Sequence, residues 1–149
     1  MKFDNQMLLK FDSLSANEGF ARSAVAAFCT QINPTLDEVT DIKTAVSEAV
    51  TNCVVHAYPN RIGEIEIWVG LSGRVVTIKV KDWGIGISDI ERAREPFFTT
   101  KLNDERAGMG FTVMESFMDS VSVKCEKNQG VEVVMSKKLL GKKTAVCGG

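Results

Sequence analysis

Glu48 and Asn52 stand four residues apart in the stretch SEAVTNCVVHAY, a spacing that puts both side chains on one face of a helix, one turn above the other. The rest of that face is apolar. An asparagine carbonyl oxygen is a hard, neutral ligand that suits Mg²⁺, and a glutamate one turn away can take the proton of a hydroxyl that attacks a phosphate. The competing reading is a solvated helix edge, because polar pairs at this spacing are common on helix surfaces. Asp82-x-Gly84-x-Gly86 follows directly on a strand pattern. A carboxylate at a strand end can accept a hydrogen bond from an amino group such as the exocyclic amine of adenine, and the glycines let a flat ring approach the backbone. The same residues would also serve a plain turn. Gly108-Met109-Gly110-Phe111 opens another helix pattern. N–H groups beside glycines at a helix start can cradle phosphate oxygens, or the glycines merely punctuate the chain.

These residues need elements to hold them. Met7, Leu9 and Phe11 alternate with polar neighbours and predict an opening strand. Ser15 and Glu18 have the spacing of a capping box, after which Phe20, Ala24, Ala27, Phe28 and Ile32 recur at helical intervals until Asn33-Pro34. Thr35 and Glu38 repeat the capping pattern, and Val39, Ile42, Val46, Ala49, Val50 and Cys53 carry a second helix towards Pro59. Ile65, Ile67 and Val69 alternate, LSGR turns the chain, and Val76, Ile78 and Val80 alternate again, a hairpin that ends at Asp82. A helix over Phe111–Met118 and strands over Val121–Cys125 and Val131–Met135, around a turn at Asn128–Gly130, complete the pattern. The order predicts an α/β two-layer sandwich, with helices packed on one face of a mixed, mostly antiparallel sheet.

A chain of 149 residues accommodates one ordinary domain, here 1–138, with 139–149 expected as a flexible polar and glycine-rich tail. The formal net charge of −1 gives no global attraction to nucleic acid or to an anionic membrane. No apolar run approaches the roughly 20 residues of a membrane span, and the start lacks a signal peptide's apolar region, so a cytoplasmic protein is expected. The four cysteines show no CxxC spacing; Cys29, Cys53 and Cys125 read as reduced core thiols and Cys147 as a tail residue. His56, the single histidine, falls one more helical step past Asn52. With no Cys or His at ligand spacing it reads as a helix-end structural residue, with a place facing a bound nucleotide as the alternative, rather than as a metal ligand. Trp68 reads as a hairpin side chain and Trp83 as a neighbour of the pocket.

Taken in order, E-x-x-x-N on a helix, D-x-G-x-G after the next hairpin, a loop holding Phe97, Phe98, Thr99, Thr100 and Lys101, and G-M-G-F at a helix start resemble the four nucleotide-binding boxes of the GHKL superfamily. Gyrase and the histidine kinases share that ATP-binding fold. Within it, SEAVTNCVVHAY, EPFFTTK and GMGFTVMESFMD look like the bacterial anti-sigma factor serine kinases, and NEGFARSAVAAF is similar to their sporulation branch.

The resemblance implies a Bergerat-type fold and an ATP-dependent protein serine kinase. Such a kinase sequesters a sigma factor of the sigma F type and phosphorylates its anti-anti-sigma antagonist on serine. It implies ATP or ADP with Mg²⁺ as ligands and a homodimer that touches neither nucleic acid nor membrane. Carried over by motif, Glu48 is the general base, Asn52 the Mg²⁺ ligand and Asp82 the adenine reader, while Gly84 and Gly86 shape the base pocket. Thr99, Thr100 and Lys101 join Gly108, Met109, Gly110 and Phe111 in holding the nucleotide, with the segment between the glycine pairs as its lid. Arg22 is the candidate sigma contact; Arg106 would reach a phosphate or a partner, or simply face solvent at the lid tip. Many members place a threonine after the glycine of the last hairpin, where this chain has Val131, so a hydroxyl supporting the base is missing. Two other functions share these motifs: the catalytic ATP-binding domain of a histidine kinase system, and a nucleotide-gated binding module without catalysis.

Overall fold

The computed structural model describes residues 2–84, 105–125 and 130–141, the side chains of 105–109 excepted. Period-two alternation makes the strands. β1 (Asn5–Asp12) turns Met7, Leu9 and Phe11 towards the core, and β2 (Glu64–Ser72) and β3 (Val75–Asp82) form the expected hairpin, with Gly73 in the turn at φ 58°. β4 (Ser120–Cys125) and β5 (Val131–Lys138) complete a five-stranded sheet in the order β1-β2-β3-β5-β4. All four pairings are antiparallel, so the sheet is not mixed among the described residues.

Among the described residues, three helices cover one face of this sheet. α1 (Ala16–Cys29) runs into a 3-10 turn at Thr30–Ile32, α2 (Leu36–Asn52) runs into a π-helical turn at Cys53–Ala57, and α3 (Glu105–Phe117) leads to β4. Ile42, Val46 and Val50 of α2 meet Ile65, Ile67, Ile78 and Met135 of the sheet in a fully buried core. Each such side chain contributes about 2 kcal/mol by leaving water. Among the described residues, no helix is long and apolar enough to cross a membrane.

α1 is helical as its spacing predicts; Phe28 and Ile32 of the expected stripe pack against the edge of the core, but the buried centre lies beside that stripe. Ala21, Val25, Ala26 and Cys29 are buried, while Phe20 is 53% exposed and meets Phe11 edge-on, ring centroids 6.4 Å apart. The small stripe wins because it lets α1 approach α2 closely. Cys29 is a buried thiol, pushed up to about 12 by burial. The capping box expected at Ser15 is also absent: Ser15 makes no side-chain cap bond, its backbone being helical already at φ −58° and ψ −29°. The box at Thr35 forms in full, Thr35 Oγ1 accepting from Glu38 N–H at 3.1 Å and Glu38 Oε1 accepting from Thr35 N–H at 2.9 Å. Glu38 also accepts the N–H groups of Leu140 at 2.6 Å and Gly141 at 3.1 Å, and Leu139 is 1% exposed. The chain is therefore tied to the fold as far as Gly141.

Among the described residues, the sheet's other face carries no helix. Across it runs a row of alternating charge: Lys10, Glu66, Lys81, Glu132 and Lys124 stand opposite one another in register on β1, β2, β3, β5 and β4. Lys10 and Glu66 approach to 3.6 Å. Beside this row Trp68 lies between the Gln6 carboxamide, which accepts its indole N–H at 2.9 Å, and the Lys79 ammonium, 5.0 Å from its ring centroid. A polar outer face is what allows one layer of helices to suffice.

Candidate functional site

A narrow pocket opens between the end of α2, the end of β3, the start of β5 and α3. Ala49, Asn52, Cys53, His56 and Ala57 form one wall, Val80 and Asp82 the floor, and Val131, Val133 and Phe111 the other sides. The π-helical turn makes the first wall possible. By widening the helix after Asn52 it brings Cys53, His56 and Ala57 onto the pocket side, where a helix ending at Asn52 would have turned away. Tyr58 fixes the turn to β3: its hydroxyl donates to the Glu64 carbonyl at 2.8 Å and accepts from the Trp83 N–H at 2.7 Å.

Asp82 is the pocket's buried charge, 3% exposed. Its Oδ1 accepts the Gly84 N–H at 3.0 Å and the Val131 N–H at 3.2 Å; its Oδ2 accepts the Cys53 thiol at 3.6 Å. Burial pushes the carboxyl above its ordinary range, and the Gly84 and Val131 donors, the thiol and the nearby Lys81 ammonium pull it part of the way back. Cys53 is pushed well above the ordinary thiol value by burial first and then by the Asp82 charge, so it remains a protonated donor. A thiol is a weak donor, and Oδ2 keeps capacity for a further N–H. Oδ2 thus keeps acceptor capacity at the floor of a slot whose lining, Asn52 and His56 apart, is apolar.

Gly130, at φ 86°, is required where β5 begins: a Cβ there would collide with the Asp82 carbonyl oxygen, so a larger residue would push Val131 off its bond to Oδ1. That bond comes from the Val131 backbone and is indifferent to the side chain, whatever the missing hydroxyl would have added. Gly110 is required for a different approach. A Cβ on it would strike the Asn52 carboxamide, so the start of α3 lies directly against the end of α2. Gly108 and Gly110 stand inside the first turns of α3 rather than before it, because the helix begins at Glu105.

The structure therefore brings together Asn52, Asp82, Gly84, Gly110 and Phe111. Glu48 lies one turn before Asn52 on α2, partly buried and outside the pocket lining. Arg22 is on α1, half exposed, its guanidinium bonded to Glu18 Oε2 at 2.5 Å; the same oxygen accepts the Ser47 hydroxyl of α2 at 2.5 Å. Arg106, Gly108 and Met109 fall in the first turns of α3. Gly86, Thr99, Thr100 and Lys101 lie outside the described residues, as do Phe97 and Phe98. Trp83 is exposed beside Asp82, with the Lys81 ammonium 5.3 Å from its ring centroid. Cys53, Tyr58 and the Val131 N–H are contributions the sequence did not mark as parts of a site. The cysteine had a usable signal, one residue past Asn52 on a helix aimed at the pocket; the backbone donor had none.

Comparison with known proteins gives a consistent picture. Residues 11–137 match the family described as the histidine kinase-like ATPase domain. An anti-sigma F factor of Thermoanaerobacter sp. (strain X514) is 56% identical over 137 residues, covering 92% of this chain and 96% of that protein. One from Geobacillus sp. (strain WCH70) is 53% identical over 144 residues, covering 96% and 98%. Among solved structures, the RsbU and RsbW domains of Rv1364c from Mycobacterium tuberculosis align with a TM-score of 0.67 at 18% identity, covering 91% of this chain and 32% of that one; this likeness speaks to the fold.

Proposed function

Because this chain belongs to the histidine kinase-like ATPase domains and, within them, to the anti-sigma F factors, we propose that it is an ATP-dependent protein serine kinase that also holds a sporulation sigma factor inactive. The observation that carries the nucleotide half of this reading is the buried Asp82 carboxylate, one oxygen held by two backbone N–H groups and the other met by a weak thiol donor, at the floor of an apolar slot. An adenine would lie between those walls and give its amino group to Oδ2. Gly110 packs against the Asn52 carboxamide, so phosphates held near Gly110 would lie beside Asn52. Among the described residues no group of three or more His, Cys, Asp or Glu gathers for a metal, and Asn52 would share a Mg²⁺ ion with phosphate oxygens and water.

Bound ATP with Mg²⁺ would supply the γ-phosphoryl group and the charge neutralisation that its transfer requires. Glu48 would take the proton of the incoming serine hydroxyl, and the walls of the site would contribute mainly by positioning. The serine belongs to an anti-anti-sigma antagonist, and its phosphorylation beside acidic Glu48 favours release of the product. The sigma factor docks on a homodimer through surfaces that include Arg22, while Arg106 and Lys101, at the lid, make the antagonist's approach sensitive to which nucleotide is bound. The test is transfer of label from [γ-³²P]ATP to the antagonist, giving acid-stable phosphoserine. Glu48→Gln should bind ATP as tightly as the wild type and lose transfer at least about a hundredfold, the scale of a lost general base. Unchanged turnover would remove Glu48 from that role, and acid-labile label would point to a histidine phosphoacceptor.

A further inference from the structure

We propose that Cys53 is a positioning residue for base recognition: its thiol holds the second oxygen of Asp82 in the plane where the carboxylate accepts the amino group of a 6-aminopurine. The inference rests on the reading of Asp82 as the group that meets the base. Oδ1 is pinned by the N–H groups of Gly84 and Val131, which fixes one corner of the carboxylate. Those bonds hold the carboxylate from one side against rotation about χ2, a broad torsion in aspartate that moves both oxygens together. Among the described residues, Cys53 Sγ, 3.6 Å from Oδ2, restrains it from the other side. Both residues are buried, at 4% and 3% exposure, and Cys53 also lines the slot itself.

The chemistry of sulfur suits the task. A thiol donates weakly, so it orients Oδ2 without consuming its capacity to accept a second donor. It is also compact and apolar enough to stand in a wall with Ala49 and Val80 without needing water. Alanine at this position would leave the carboxylate held from the Oδ1 side alone; valine would fill the space and donate nothing.

The experiment measures the affinities of ATP and of purine riboside 5′-triphosphate, which lacks the 6-amino group, for the wild type and for Cys53→Ala, Cys53→Val and Cys53→Ser. The wild type should prefer ATP. If it does not discriminate, the reading of Asp82 fails and the role of Cys53 falls with it. Given discrimination, Cys53→Ala and Cys53→Val should both bind ATP about tenfold more weakly, the scale of one positioned hydrogen bond. Their affinity for the deaminated analogue should stay within about twofold of wild type on the same scale. Cys53→Ser, which restores a donor, should recover the preference for ATP. A wall residue that merely packs would lower both nucleotides together and would rank the variants by volume instead of by donor. That pattern, or wild-type discrimination in a folded Ala or Val variant, overturns the proposal.

Discussion

Ser15 and Thr35 each precede a glutamate by three residues at the start of a helix, and the two glutamates do different things. At α2 the chain arrives through Asn33 in the left-handed region (φ 50°) and Pro34, which leaves Thr35 extended at ψ 166°. The first N–H groups of that helix then have no backbone partner, and the reciprocal bonds between Thr35 and Glu38 supply them. At α1 the chain is already turning: Asn17 N–H bonds the Leu14 carbonyl at 2.8 Å and Glu18 N–H bonds the Ser15 carbonyl at 3.2 Å. With those donors satisfied by the backbone, the Glu18 side chain is released to join Arg22 with Ser47, the residue before Glu48. One glutamate became architecture. The other ties the proposed sigma-binding surface to the helix that carries the proposed base.

Mutation and pH separate these roles. Glu38→Ala strands the N–H groups of Thr35, Leu140 and Gly141 and should cost about 2–3 kcal/mol in urea unfolding. A loss below about 1 kcal/mol would mean that water replaces those bonds readily. Thr35→Ala should cost about 1 kcal/mol. Glu18→Ala removes a partly exposed pair and should cost about 0.5 kcal/mol while weakening capture of the sigma factor, because Arg22 loses its anchor. Ser15→Ala should cost no more than about 0.3 kcal/mol; a loss equal to that of Thr35→Ala would mean that both boxes form in solution.

Acid should distinguish the same two carboxylates. At Glu38 burial pushes the carboxyl up, but the Thr35, Leu140 and Gly141 donors outweigh it and hold it below the ordinary range. At Glu18 the Ser47 hydroxyl lowers it first, burial opposes, and Arg22 adds to the lowering. A depressed carboxyl contributes stability above its unfolded value, about 4.3 for glutamate, and loses that contribution as the pH falls through its folded value. The acid limb of thermal stability should therefore be flatter in Glu38→Gln than in the wild type. An unchanged limb would place the acid sensitivity elsewhere, with Glu18→Gln as the next variant to measure.

The pattern of legibility in the sequence follows from what each feature depends on. Strand alternation at Met7, Leu9 and Phe11 and at Ile65, Ile67 and Val69 is a local signal repeated several times, and it predicts the strands and their inner face. The period of α1 was equally plain, but its phase was not, because Phe20 and Ala21 begin two competing stripes and side-chain size favours the wrong one. The π-helical turn was hidden because it answers to Tyr58 reaching Trp83, a contact between residues 25 apart. Asp82 could be found from its place between a strand and a glycine. Its partners could not, since backbone N–H groups carry no residue type, and Cys53 looks like any other core thiol until β3 is laid beside it.

The charge row on the outer side of the sheet nearly silences itself. Its three lysines stand across from two glutamates, so beyond a Debye length of about 8 Å the row acts as one positive charge instead of three. A regulator that works beside the transcription machinery is surrounded by polyanions. Setting opposite charges strand by strand reduces what this row offers them to follow.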